Sequence, residues 1–193
     1  MSTSVLYMSM SLDGYIAGPN DEPGNPGGDG FMRLHDWLVT PAGDSGRPPG
    51  PAGDLIDEMN ATGAVLVGRR TAEQADHYGG DHHGVPIFVL SHRPAGPAVA
   101  NYPSVTYVID GIARAMAQAK AAAGERNVMV HGAYTAKRAL EASVLDELQI
   151  HQIPVLFGGG RRLFDVLPSR VELEIGRVVD TPEATHIRYR VHR

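Results

Sequence analysis

Short apolar runs, each closed by glycine or a polar turn, recur at residues 5–10, 64–67, 85–90, 105–109 and 127–130. They are nearly continuous rather than alternating, the pattern of strands covered on both faces. Between them the period lengthens. Ile112, Met116, Ala119 and Ala123 share one face of an alanine-rich helix over 111–123, which Asp110 can cap and Gly124 can end. Leu55, Ile56 and Met59 face inward from a helix ending at Asn60. Ala136, Leu140 and Val144 do so from another that follows Gly132. Strands alternating with helices predict an α/β fold with a largely parallel sheet and right-handed crossovers.

The C-terminal part reads differently. Val171, Leu173 and Ile175 alternate with Glu172 and Glu174, while Ile187, Tyr189 and Val191 alternate with Arg188, Arg190 and His192. This predicts an antiparallel hairpin with one polar face, its glutamates and arginines placed to pair across strands. The run at 148–157 has a fault: Leu148 and Ile150 share a face, Ile153, Val155 and Phe157 take the other, and Pro154 sits in the shift. A bulge or an edge position is expected there. One stretch fits no regular element. Residues 19–53 are crowded with glycine and proline, and only FMRLHDWLV at 31–39 reads as a short helix, through Leu34 and Leu38. A loop of that length is either a lid over a site or a tolerated surface insertion.

Composition narrows the class. With 193 residues and 42% hydrophobic content, the chain reads as a single domain over 1–193 that carries the insert at about 19–53. A net charge of -5 argues against nucleic acid or anionic membrane as the main partner. The absence of cysteine excludes disulfides and thiolate zinc sites. The start lacks the basic and apolar regions of a secretory leader, and no apolar run reaches membrane-spanning length. A cytoplasmic protein with a small-molecule partner is the expectation.

In open α/β sheets, ligands bind beyond the C-terminal ends of the parallel strands. Three loops there carry suitable groups. Gly68, Arg69, Arg70 and Thr71 offer a close-approach glycine, two guanidiniums and a hydroxyl at a helix start. Ser91 and Arg93 offer a hydroxyl and an arginine where an NAD-selective site would prefer an acid. After His131, Gly132, Ala133, Tyr134 and Thr135 offer backbone N–H groups at another helix start. Together they describe a dinucleotide with an extra 2′-phosphate, NADPH, since arginine pairs with phosphate bidentately. None follows the G-x-G-x-x-G fingerprint, so the alternative is glycines for turns and arginines for solvation.

The sequence resembles the dihydrofolate reductase-like superfamily, in the branch of the riboflavin-pathway reductase C-terminal domain. The resemblance rests on MSLDGYIA at 10–17, VGRRT at 67–71, and LDEL at 145–148 continuing through Pro154 to Gly158-Gly159-Gly160 and Leu163-Phe164. It spans nearly the whole chain. It implies a three-layer α/β fold, a central mostly parallel mixed sheet with an antiparallel C-terminal hairpin and helices on both faces. It also implies NADPH binding and hydride transfer to a pterin-like or pyrimidine-like ring, as in 5-amino-6-(5-phosphoribosylamino)uracil reductase. Two departures stand out. The family often has Gly-Gly where this chain has His131-Gly132, and the Pro-Trp pair of true dihydrofolate reductases is missing from Ala17-Gly18-Pro19-Asn20, which argues against folate.

Reduction of a C=N or C=O group needs a proton on the heteroatom, which a buried carboxyl of raised pKa can supply. Asp54 and Asp57 are candidates, near where the resemblance places the acid of dihydrofolate reductases, and Asp13 lies in the first loop. Each has an ordinary reading too: a helix cap, a solvated face and a turn, with ordered water as the donor instead. His77, His82 and His83 with Asp76 and Asp81 form a dense cluster, but their spacing matches no metal motif, and a solvated loop is favoured over a metal site. His35 lies near the sole tryptophan, Trp37, and His151 is expected to point off a strand. The functional expectation is an NADPH-dependent reductase of a small heterocycle or carbonyl compound. The alternative is a non-catalytic NADP(H)-binding or sensor protein. The exposed hairpin suggests a homodimer.

Overall fold

A computed structural model describes residues 2–39 and 47–192. Its centre is an eight-stranded sheet built from β1 (Ser4–Ser11), β3 (Ala64–Gly68), β4 (Ile87–Leu90), β5 (Val105–Val108), β6 (Val128–His131), β7 (Glu147–Ile153), β9 (Leu173–Asp180) and β10 (Thr185–Val191). The spatial order is β5-β4-β3-β6-β1-β7-β10-β9. All neighbours from β5 to β7 are parallel, and β10 is antiparallel to both β7 and β9. The remaining strands, β2 (Tyr15–Ala17) and β8 (Arg161–Arg162), form a small antiparallel pair.

Among the described residues four α-helices flank the sheet: α1 (Pro51–Asn60), α2 (Arg69–Gln74), α3 (Ile112–Ala123) and α4 (Ala133–Glu141). Alternate strand residues point to opposite faces, and this splits the core. Leu6, Leu66, Val130 and Leu148 pack with Ile112, Met116, Ala136 and Ala139, so α3 and α4 cover one face. Val5, Tyr7, Val65, Val67 and Met129 pack with Ala72 of α2 and Met59 of α1 on the other. A third cluster joins Leu34 and Trp37 of the insert to Ala52, Leu55, Ile153 and Ala184. Three layers result. Fully burying aliphatic side chains of this size is worth about 1.5–3 kcal/mol each, so the central strands dominate cohesion.

Two expectations are corrected. The phase change at Pro154 marks neither a bulge nor an edge: β7 stops at Ile153 and lies between β1 and β10. Ile153, Val155 and Phe157 change sides because they meet the insert, which supplies its own apolar cluster. The register shift falls instead between β10 and β9, at Arg188/Tyr189. Also, the edge strand β9 leaves Leu173, Ile175 and Val178 in solvent, with Ile175 63% exposed, and only Val179 packs against the third cluster. The cross-strand Arg190–Glu174 pair does form, at 3.7 Å.

The described part of the insert, 19–39 and 47–53, is built into the structure; residues 40–46 lie outside the described residues. Phe31–Leu38 form a 3-10 helical segment that buries Leu34 and Trp37. Upstream, the Asp21 carboxylate, only 8% exposed, bonds Arg70, Arg161 and Gln74 and accepts from the Gly27 N–H. These bonds fasten the loop across the C-terminal ends of the strands.

Candidate active site

The connection after β3 runs through α2 to one face of the sheet, and the connection after β6 runs through α4 to the other. Between these two adjacent parallel strands lies the topological switch point at which open α/β sheets bind ligands. A cleft of about 750 Å³ opens there. Its walls are the turns after β3, β4 and β6, the floor strands β1 and β7, and the insert from Asp21 to Leu38.

At one end, two glycines form a cradle. The Val67↔His131 register sets Gly68 beside Gly132. A Cβ on Gly68 would lie 3.0 Å from Thr135 Oγ1, and one on Gly132 would lie 2.8 Å from Thr71 Oγ1. Gly132 also has φ +88°, a conformation L side chains rarely adopt. Thr135 Oγ1 is buried without a hydrogen-bond partner among the described residues. The first N–H groups of α4 have no carbonyl partner within the helix. A bare approach, an orphaned hydroxyl and a helix start fit the pyrophosphate of a dinucleotide.

Beyond the cradle, Arg69 bonds Glu73 at 2.7 Å and the Pro94 carbonyl at 3.1 Å, and packs over the Tyr107 ring. Ser91 Oγ donates to the Arg93 carbonyl and accepts from the Arg93 N–H, which fixes that loop. Gly68, Arg69, Arg70, Thr71, Ser91, Arg93, His131, Gly132, Ala133, Tyr134 and Thr135 all line the cleft. Their roles differ, because Arg70 is held by Asp21 and Arg69 by Glu73.

The expected proton donors lie elsewhere. Asp54 and Asp57 sit on the outer side of α1, 75% and 60% exposed, both paired with Arg47. The helix turns about 100° per residue, so facing Ala52, Leu55 and Met59 inward sends these aspartates out. Asp13 accepts from the Ser11 hydroxyl and from the Phe157 and Gly158 N–H groups, tying the first loop to the triple-glycine turn. The Ser11 bond leads in lowering its pKa to about 2, so it stays ionised. None of the three lines the cleft. Asp21 does, but its bonds to Gln74, Gly27 and the arginines outweigh its burial and hold it below the usual carboxylate range.

Histidines line the cleft instead. Burial, then the neighbouring His82 and His35, brings His131 down to about 4, leaving it neutral. Its Nδ1 lies 2.9 Å from the Tyr78 hydroxyl. Tyr78 is delivered by a segment, Asp76–Gly80, whose backbone is left-handed at His77, Tyr78 and Gly79. The solvated-loop reading holds for Asp76, Asp81 and His83, which are exposed, but not for His77, which is buried and bonds the Tyr107 hydroxyl at 2.9 Å. No group of three metal-ligating side chains is present among the described residues.

A family model, the RibD C-terminal domain, matches residues 3–187. The chain belongs to that family. Among solved structures it is similar to a candidate riboflavin biosynthesis protein from Shewanella sp. PV-4, with 23% identity, TM-score 0.73 and 99% coverage of both chains. It is also similar to a diaminohydroxyphosphoribosylaminopyrimidine deaminase/5-amino-6-(5-phosphoribosylamino)uracil reductase from Thermotoga maritima, at 15% identity and TM-score 0.61. Here 99% of this chain covers 57% of the other. A pyrimidine reductase-like protein from Corynebacterium diphtheriae matches at 13% identity and TM-score 0.61, over 100% of this chain and 92% of that one. At these identities the neighbours establish the fold. A search of the curated proteins found no match.

Within this RibD C-terminal fold the cleft is also lined by Tyr7, Ser9, Asp21 and Met59, which carried no functional expectation, and by His151, which was expected to point off a strand and is instead buried. A usable signal existed for two of them. Ser9 interrupts the apolar run 5–10 and His151 follows Ile150 in a central strand, and buried polar groups need partners.

Proposed function

We propose that this protein is an NADPH-dependent reductase acting on a small heterocyclic or carbonyl compound. The observation that carries the reading is the Gly68–Gly132 cradle, with the unpartnered Thr135 hydroxyl, opening directly into an apolar chamber. Thr71, Thr135 and the α4 N–H groups would hold the pyrophosphate. Arg93, which has no ion pair among the described residues, would meet the 2′-phosphate with Ser91 beside it. Bound there, the dinucleotide supplies a hydride. Phe31, Trp37, Leu38 and Met59 keep the chamber apolar, and the Asp21 anchor holds the insert across it. With no protonatable carboxyl lining the cleft among the described residues, the acceptor's proton comes from water.

Fluorescence titration with NADPH and NADH tests the cofactor assignment, and equal affinities would overturn the 2′-phosphate argument. Steady-state NADPH oxidation against pterins, aminouracil ribosyl compounds and quinones tests the activity. One observation favours a non-catalytic NADP(H)-binding protein: Asp21 is held below the usual carboxylate range and burial brings His131 down to about 4, so neither of these cleft-lining groups is poised to hand over a proton at neutral pH. Tight NADPH binding with no turnover on any member of the panel would select that reading.

A further inference from the structure

The insert brings one further titratable side chain to the cleft. His35 lies on the Phe31–Leu38 segment, whose Leu34 and Trp37 are buried in the third cluster. That packing seats the segment on the sheet and leaves His35 half-buried in the cleft wall. On the strand side, His131 of β6 and His151 of β7 are close enough for a charge on His35 to oppose their protonation.

The His35 ring is bonded at one nitrogen. Nδ1 lies 3.3 Å from the Phe31 carbonyl oxygen, and a carbonyl can only accept, so Nδ1 carries the hydrogen. The Phe31 ring packs against the imidazole at 4.6 Å between centroids. Nε2 has no partner among the described residues, and unlike His151 Nε2 it is not sealed from the cleft. In the neutral ring this atom is a bare lone pair open to water. Once protonated, it presents an N–H to whatever the cleft holds.

The other carboxyl, imidazole and phenol groups lining the cleft are committed. Asp21 holds Arg70 and Arg161, Tyr7 accepts from Arg188, and His131 is tied to the Tyr78 hydroxyl. His92 bonds the Tyr134 hydroxyl at 2.7 Å, and the Trp37 ring covers His151, stacked at 4.1 Å between centroids. The groups that act on His35 are Asp36, itself paired with Arg33 at 3.3 Å, and the neutral rings of His131 and His151. Burial outweighs the Phe31 carbonyl and Asp36 and holds His35 below the usual histidine range, so its proton is given up readily.

We propose that His35 is the catalytic acid of the reduction, taking a proton from water at Nε2 and passing it to the acceptor heteroatom. As one hydride reaches the carbon of a C=N or C=O group, the π electron pair moves to nitrogen or oxygen. That atom takes the Nε2 proton, the N–H electron pair stays on the ring, and solvent supplies the next proton. This rests on the reductase reading, and it names the residue through which the water-derived proton arrives.

The first test needs neither cofactor nor substrate. Nitrogen NMR of the imidazole rings in the free full-length protein should show His35 as the Nδ1–H tautomer, titrating below pH 6.5. An Nε2–H tautomer, or a ring that does not titrate, overturns the proposal. The second test is the pH profile of kcat at saturating NADPH, with menadione and 4-nitrobenzaldehyde as probes. Wild-type kcat should fall about tenfold per pH unit above the His35 midpoint, because only the protonated ring donates. His35→Gln should lose that limb and about 100-fold in kcat below the midpoint, with NADPH affinity within about twofold of wild type. A merely structural role would lower kcat at every pH and keep the limb, which overturns the proposal. Should His35→Gln not fold, the tautomer and a wild-type limb that matches the NMR midpoint carry the result. Wild type that turns over neither these probes nor the panel above refutes the reductase reading and this proposal with it. Turnover with an unchanged limb in His35→Gln refutes this proposal alone.

Discussion

Gly68 and Gly132 sit side by side, yet a methyl group on each should have different consequences. Gly132 has φ +88° and ψ 147°, a region where residues other than glycine cost about 1–3 kcal/mol. In a chain of this size, about 2 kcal/mol lowers Tm by roughly 4–8 °C. Gly132→Ala also drives a Cβ to 2.8 Å from Thr71 Oγ1, inside the cradle. Gly68 has φ −77° and ψ 151°, which any residue adopts, and its Cβ would meet the Thr135 hydroxyl at 3.0 Å, with Tyr134 Cδ1 in ordinary contact at 4.0 Å. Gly68→Ala should therefore leave Tm within about 2 °C of wild type and still weaken NADPH binding by about tenfold, about 1.4 kcal/mol of lost approach. Gly132→Ala should lose both stability and affinity. Thermal melting without cofactor, paired with NADPH titration, separates the two effects. If Gly68→Ala binds NADPH like wild type, the pyrophosphate does not sit at the cradle and the site assignment fails.

Other outcomes follow from the same geometry. His131, His151 and His186 all have pKa values lowered by burial, to about 4 for His131 and His186. The unfolded chain takes up these protons first, so stability is complete above about pH 6.5 and falls as pH drops toward 4. One such histidine contributes about 2 kcal/mol of loss by pH 5; denaturant melts that are flat from pH 7 to 5 would contradict this. Asp54→Asn and Asp57→Asn should change kcat/KM by less than about twofold, since these carboxylates face solvent on α1. A tenfold fall in steady-state assays would restore them as candidates for catalysis. Arg93→Ala should weaken NADPH binding by about tenfold and leave NADH unchanged, read by fluorescence titration. The β9 edge, with exposed Leu173, Ile175 and Val178, is expected to pair two chains, and light scattering should report a dimer at micromolar concentration.

Local pattern determined much of this protein. Continuous apolar runs specified the inner strands because a strand covered on both faces can carry few polar groups, and Gly68 and Gly132 marked the turns where backbone must come close to something. The order of strands was another matter. No local signal placed β6 between β1 and β3, and that insertion is what sets Gly68 against Gly132. The helix period likewise put Leu55 and Met59 inward, but whether Asp54 and Asp57 faced a cleft or solvent depended on what α1 packed against. Within residues 19–53 only the short helix at 31–39 was legible, and the rest read as irregular chain. Their role came from long-range bonds, Asp21 to Arg70 and Arg161 and Trp37 to Ser9. His151 shows the limit most clearly: a single polar residue in a strand acquires its imidazole partner and its burial beneath Trp37 from neighbours 35 residues and more away in the chain.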